Sequence, residues 1–147
     1  MVNIRRAKPE DLEDIYRIEC SSFSTPWSKK SIILEIENNQ LAYYYVVEDF
    51  FQVVGYGGFW KIGEEAHIGN IAIEPESRNQ GYGKLLMKAL VEEAKELGIS
   101  DMTLEVRPSN LPALKLYADF DFYKAGVRKG YYTDTKEDGW ILWKEIK

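Results

Sequence analysis

An apolar run from Ile68 to Ile73 passes through the loop Glu74 to Gln80 into Gly81-Tyr82-Gly83. Leu85, Leu86, Ala89, Leu90, Ala94 and Leu97 follow. The first stretch reads as a strand. The last repeats at helical spacing, with Lys and Glu on its other face. A strand that runs through a glycine-bearing turn into a long helix constrains this chain more than any other feature. It requires an α/β arrangement, and it aims free backbone N–H groups and the positive end of a helix dipole at one point. Gly98 caps the helix at its far end.

The rest of the chain alternates in the same way. Val2 to Arg6 reads as a first strand. Lys8-Pro9-Glu10-Asp11 opens a helix, with proline near the first turn and acids at the positive end of the dipole. Leu12, Ile15, Tyr16 and Ile18 form its apolar stripe, and Cys20 is expected to be a small buried residue of that helix. Thr25 is the expected N-cap of a second helix, with Pro26 just inside. Ile32, Ile33 and Ile36 are its buried side, and Asn38-Asn39 ends it. Two strands follow, Leu41 to Val47 and Phe51 to Trp60, with Glu48-Asp49 in the hairpin between them. Gly55, Gly57 and Gly58 predict a bulge or a close backbone neighbour. Met102 to Val106 is a fifth strand. Asn110 caps a helix to Ala118 with Pro112 in its first turn. Strands near Phe122 to Arg128 and Gly139 to Ile146 complete a mixed sheet covered by helices.

At 147 residues the chain suits one domain spanning 1–147. A net charge of −5 argues against a general nucleic-acid binder, which shows a basic face. One cysteine excludes an intrachain disulfide, and with one histidine it argues against a zinc site. Neither a signal peptide nor a membrane span is evident, so the expectation is a cytoplasmic protein without metal, nucleic-acid or membrane partners.

The glycine turn fails two commoner nucleotide motifs. A Walker A loop needs glycine where Arg78 stands and Ser or Thr where Leu85 stands. The dinucleotide fingerprint needs a third glycine at Leu86. Gly81 and Gly83 leave room for an anion, and Arg78 can add a charge-assisted contact. A tight turn that uses glycine for packing alone remains the alternative.

The stretch Ile71-Ala72-Ile73-Glu74-Pro75-Glu76-Ser77-Arg78-Asn79-Gln80-Gly81-Tyr82-Gly83-Lys84 resembles the acetyl-CoA-binding motif of the GNAT acyltransferase superfamily, of the form Gln/Arg-x-x-Gly-x-Gly/Ala. Leu104-Glu105-Val106-Arg107-Pro108-Ser109-Asn110 with Ala113 to Tyr117 resembles the second half of that cofactor site. Phe23 to Ser28, Arg128 to Tyr132 and Glu137-Asp138 are similar to the subgroup that acetylates protein N-termini, the RimI-type enzymes. The resemblance covers nearly the whole chain. It implies a single domain with a mixed, mostly antiparallel seven-stranded sheet and about four helices. It also implies acetyl-CoA as co-substrate, held by Ile71, Ala72, Ile73, Arg78, Asn79, Gln80, Gly81, Tyr82, Gly83, Lys84, Asn110 and Tyr117. Two departures stand out. Asp119-Phe120-Asp121-Phe122 replaces a Leu-Gly-Phe turn, and Gly139 stands where relatives often have alanine, which reads as a strand-end adjustment.

Acetyl transfer from a thioester to an amine needs a base for the amine proton, donors for the oxyanion and an acid for the thiolate. The resemblance implies Glu105 as base, Tyr117 as acid, and backbone N–H groups near Ile71 to Ile73 as oxyanion donors where the sheet splays. Partial desolvation at the end of an apolar strand suits a base. Strand alternation puts Glu105 with Thr103, opposite Leu104 and Val106. The bland reading of Glu105 is a salt bridge to Arg107, and that of Tyr117 is a core tyrosine. Phe23, Pro26, Trp27, Tyr131 and Tyr132 are candidates to wall a slot for an extended peptide, while Tyr44, Tyr45 and Trp60 read as packing. Glu35, Glu37, Glu64 and Glu65 read as a charged solvent face, with attraction of a basic peptide as the second reading.

The leading expectation is an enzyme, monomer or homodimer, that acetylates a protein N-terminus, on a ribosomal protein or more broadly. A GNAT enzyme for a small amine is the alternative. An acetyl-CoA sensor without turnover is a third reading, disfavoured by the presence of both Glu105 and Tyr117.

Overall fold

The computed structural model describes residues 1–146. Seven strands form one sheet: β1 (Val2–Arg6), β2 (Ala42–Asp49), β3 (Gln52–Ile62), β4 (Glu65–Ile73), β5 (Asp101–Val106), β6 (Tyr123–Tyr132) and β7 (Glu137–Glu145). Their spatial order is β1-β2-β3-β4-β5-β7-β6. Four helices cover it: α1 (Leu12–Ser22), α2 (Lys29–Glu37), α3 (Tyr82–Glu96) and α4 (Leu111–Asp119). The expected mixed, mostly antiparallel sheet and its four helices are thus present. No helix among the described residues is long and apolar enough to cross a membrane.

Strand alternation sends successive side chains to opposite faces, and each face has its own core. Val46, Val53, Tyr56 and Ala72 pack under Ile15 and Ile18 of α1 and Ile32 of α2. Val47, Val54, Phe59 and Ile68 pack under Leu86, Met87 and Leu90 of α3, with Tyr117 of α4 in the same cluster.

The feature that shapes the site is the pairing of β4 with β5, the one parallel pair in the sheet. Only Glu65, Ala66 and His67 pair, with Asp101, Met102 and Thr103. From Ile68 onward β4 keeps β3 as partner but has left β5. The sheet opens there, as expected for Ile71 to Ile73, and one edge of β4 is free of ladder bonds.

Three local expectations are corrected. Glu48 and Asp49 belong to β2, and the turn is Phe50-Phe51, with φ of 50° and 65°. The acids look like turn residues, but Glu48 pairs with Arg5 at 3.2 Å and Asp49 accepts the Tyr82 hydroxyl, which holds both in the strand. The N-cap of α2 is Ser28, not Thr25. Its hydroxyl accepts the Ser31 N–H at 3.1 Å, and Pro26 lies before the helix. Cys20 is exposed, and its neighbour Glu19 takes the inward position beside Ile15 and Ile18.

Gly55, Gly57 and Gly58 behave as expected. The β3–β4 register shifts between Gly57 and Phe59, and the backbones of β2 and β4 crowd these positions.

Arg5 fixes β1 to the turn before α1. Its guanidinium donates twice to buried Asp11, each at 2.9 Å, and the Lys8 N–H donates to Asp11 at 2.8 Å. Burial pushes the Asp11 carboxyl up, but these donors outweigh it and hold it below the ordinary carboxylate value. A depressed group stabilises the fold above its unfolded pKa, and that stability is lost as pH falls through the folded pKa. Asp11→Asn is therefore expected to cost about 2 kcal/mol at neutral pH and almost nothing in strong acid. Urea unfolding across pH 2–7 measures this, and a cost that does not vary with pH would refute it.

Candidate active site

The turn after β4 starts at Glu74, which is buried. Its carboxylate accepts Arg17 of α1 at 2.7 Å and the Ser77 hydroxyl at 2.7 Å, so α1 braces the start of the loop. Arg78 then donates to the Ile73 carbonyl at 2.9 Å and to the Ser22 hydroxyl at 3.3 Å. Asn79 and Gly81 both take left-handed backbone, with φ of 64° and 84°. Gly81 is the N-cap of α3 and offers no side chain to the helix end, so the first-turn N–H groups point outward unclaimed. A Cβ on Gly81 would have nothing within 4 Å, so conformation rather than crowding calls for glycine there. At Gly83 a Cβ would lie 3.5 Å from Leu116 of α4, an ordinary contact, so helix packing does not itself require glycine there.

Those N–H groups face a cleft of about 380 Å³ between α3 and α4. Of the expected cofactor residues, Ile71, Ala72, Ile73, Arg78, Asn79, Gly81, Tyr82, Gly83, Lys84 and Tyr117 line it. Gln80 does not, and it donates to the Glu76 carbonyl at 3.5 Å. Asn110 lines the neighbouring cavity instead, while its side chain caps α4 by accepting the Ala113 N–H at 3.2 Å. Lys84 is paired across the cleft with Asp119 at 3.3 Å. The helix end and Arg78 at this cleft can meet an anionic group at the α3 terminus.

A second cavity of about 580 Å³ opens where β4 and β5 part. Gly69, Asn70 and Ile71 line one side, Glu105 and Val106 the other. Phe23 and Trp27 come from the α1–α2 loop, and Tyr132 from the end of β6. Ile71, Ala113 and Tyr117 line both cavities, so the two meet at Tyr117. Pro26 and Tyr131 are not in its wall. Tyr131 packs edge-on to Tyr132 at 5.0 Å and covers Gly139, where a Cβ would lie 3.0 Å from its ring. Gly139 thus makes room for Tyr131 and is more than a strand-end adjustment.

Glu105 is half-buried and faces the slot, while Leu104 and Val106 face the core, as alternation requires. Its ion pair is with Arg128 at 3.3 Å. The expected partner, Arg107, is engaged elsewhere. It donates to both oxygens of Asp134 at 3.0 and 2.9 Å, and it stacks over the Tyr132 ring at 4.0 Å. Glu137 beside it accepts the Ser109 N–H and hydroxyl at 2.9 and 3.0 Å. Burial pushes the Tyr117 hydroxyl above its ordinary value, so it keeps its proton through the neutral range.

The turn after α4, where the resemblance expects a glycine, is closed without one. Asp121 adopts a φ of 65° in place of a glycine, and the Phe122 N–H bonds the Tyr117 carbonyl at 3.0 Å. Phe122 packs against Tyr117 at 5.6 Å and backs the ring from the core side.

Three residues of the slot, Asn70, Asp134 and Ser24, gave no sequence signal of their own. Asn70 and Asp134 are ordinary polar residues in a strand and a loop. Ser24 donates to Asp134 at 2.8 Å and joins loops 110 residues apart. Glu19, behind the slot wall, did carry a signal, because position 19 falls on the apolar stripe of α1, where a carboxylate is out of place. Tyr44 and Trp60 pack behind Trp27, at 6.1 and 6.2 Å from its ring, and Tyr45 donates to Glu93. Among the described residues no group of three or more His, Cys, Asp and Glu side chains is placed to hold a metal ion.

Comparison with known proteins bears on this geometry. The model of the Acetyltransferase (GNAT) family matches residues 12–122. A Bacillus subtilis (strain 168) protein, provisionally named ribosomal protein bS18-alanine N-acetyltransferase, is 43% identical over 97% of this chain and 95% of its own. The ribosomal protein bS18-alanine N-acetyltransferase of Escherichia coli (strain K12) is 31% identical over 97% of this chain and 96% of its own. The crystal structure of the Escherichia coli ribosomal-protein-S18-alanine N-acetyltransferase superposes with a TM-score of 0.91 at 30% identity, covering 100% of this chain and 95% of that one.

Proposed function

We propose, given that the chain belongs to the Acetyltransferase (GNAT) family and is an acetyl-CoA-dependent N-acetyltransferase, that its acceptor is the N-terminal α-amine of a protein. The observation that carries this reading is the meeting of two cavities at Tyr117, one at the N-terminal end of α3 and one with Glu105 in its wall. The relatives named for alanine acetylation of bS18 support a ribosomal protein beginning with alanine as acceptor, with a broader set of N-termini as the wider form. A slot walled by Trp27 and Tyr132 and open to solvent suits an extended peptide end. A cytoplasmic location fits such an acceptor and belongs to the same proposal.

In this reading Arg78, Asn79, Gly81, Tyr82, Gly83 and Lys84 hold the pyrophosphate of acetyl-CoA, and the thioester reaches the opening between β4 and β5. The neutral amine attacks the thioester carbonyl from the slot. The free edge of β4 near Ile71 to Ile73 supplies N–H groups to the oxyanion. The amine proton passes to Glu105, directly or through a water. The C–S bond breaks, and the leaving thiolate takes the proton of Tyr117.

The deciding experiment is an acetylation assay with a library of N-terminal peptides beside small amines. Peptides starting with alanine are expected to be modified at the α-amine. Turnover of polyamines or amino acids alone would move the assignment to small-molecule acceptors. Acetyl-CoA at a hundredfold excess over Kd is expected to raise Tm by roughly 5–10 °C, with free CoA raising it equally or less. No shift at millimolar cofactor would remove the cofactor site.

A further inference from the structure

Glu19 has 0% of its surface exposed and is one of the most deeply buried side chains in the protein. A carboxylate at such depth is costly unless it is fully bonded, and an apolar side chain fills the same volume more cheaply. Glu19 is fully engaged. Asn70 Nδ2 donates to it at 2.6 Å, the Trp27 N–H at 3.2 Å, and the Tyr56 hydroxyl also donates.

The donors come from three separate elements. Tyr56 is in β3, under the sheet's α1 face. Asn70 is in the part of β4 that β5 has left. Trp27 is in the loop between α1 and α2. Asn70 and Trp27 both line the slot, on its strand side and its loop side. The carboxylate stands behind both walls and bonds to each. Burial keeps it from touching any acceptor, so its effect on the slot passes through these two residues. The Trp27 tether is specific in chemistry, because a backbone N–H needs an acceptor there. Oε1 serves Tyr56 and Asn70, leaving Oε2 for Trp27.

We propose that Glu19 is a positioning residue for the acceptor, a buried carboxylate that fixes the Trp27 loop against the open half of β4 and so sets the width of the slot. This rests on the slot being the acceptor site.

Two variants separate positioning from plain stability. Glu19→Gln keeps the volume and one oxygen for Tyr56 and Asn70, but its amide nitrogen cannot accept the Trp27 N–H. Glu19→Leu removes every bond yet fills the space with an apolar side chain. For both, the acceptor-peptide KM is expected to rise about tenfold, with kcat and acetyl-CoA Kd within about twofold of the wild type. Hydrogen exchange at the Trp27 amide is expected to quicken about tenfold in Glu19→Gln, read by NMR without acceptor or cofactor. A folded variant with unchanged peptide KM would overturn the proposal and leave the functional reading intact. Failure of both variants to fold would assign Glu19 to the core alone and also overturn it. If the wild-type protein acetylates no peptide, the acceptor reading falls. A Trp27 amide that still loses protection would then place the fault in the acceptor assignment.

Discussion

Replacing Glu105 by glutamine is expected to lower kcat by about 10²- to 10³-fold while acetyl-CoA binds as before. The substitution preserves shape and removes the capacity to accept a proton. Leu104 and Val106 on either side stay buried in the core, so the strand has no reason to shift. Glu105 also loses its ion pair with Arg128. The arginine side chain is 57% exposed, so that loss is worth little to stability. Steady-state kinetics with an N-terminal peptide, alongside calorimetric titration of acetyl-CoA, measures both halves. A variant with wild-type kcat across the pH range would remove Glu105 as base. One that loses cofactor affinity in step with kcat would make its role structural.

The largest expected loss of stability follows from Gly58. It faces Tyr44 across the β2–β3 ladder, next to the register shift in β3. A Cβ there would lie 2.5 Å from the Tyr43 carbonyl oxygen and 2.5 Å from the Tyr44 ring. The carbonyl is fixed in the strand, and the ring is held in the core beneath α1 and α2. Neither can retreat without breaking sheet or core. Gly58→Val is expected to cost more than about 3 kcal/mol and to lower Tm by roughly 10 °C or more. Guanidinium unfolding at constant pH reads the effect. A loss below about 1 kcal/mol would show that the β2 backbone gives way easily at this point.

The two substitutions mark different kinds of legibility. The sequence by itself determined the succession of elements, because periodicity is a property of neighbouring residues. The stripe Leu86, Leu90, Ala94 makes a helix wherever it stands, and alternation alone turns Glu105 away from Leu104 and Val106. The glycines of β3 were equally readable as crowded positions, and Gly81 as the turn into α3. The proposed base and acid, Glu105 and Tyr117, were legible only through resemblance, since a strand-end glutamate and a helix tyrosine are common in any fold.

The tertiary structure alone decided which of these residues meet. β5 pairs with β4 for three residues and then leaves it, which opens the slot in front of Glu105. Arg128 of β6 reaches Glu105 across the intervening β7, while Arg107 is held by Asp134. Ser24 and Asp134 touch across 110 residues because the α1–α2 loop and the β6–β7 turn border the same opening. The same cause shifted the β2–β3 turn, where Arg5 and Tyr82 hold Glu48 and Asp49 in the strand. Glu19 lies between the two cases. Its place on an apolar stripe was visible in the sequence, but its purpose was not. A buried carboxylate is stable only if donors converge on it, and here they come from β3, β4 and the Trp27 loop, which lie together only in the folded chain.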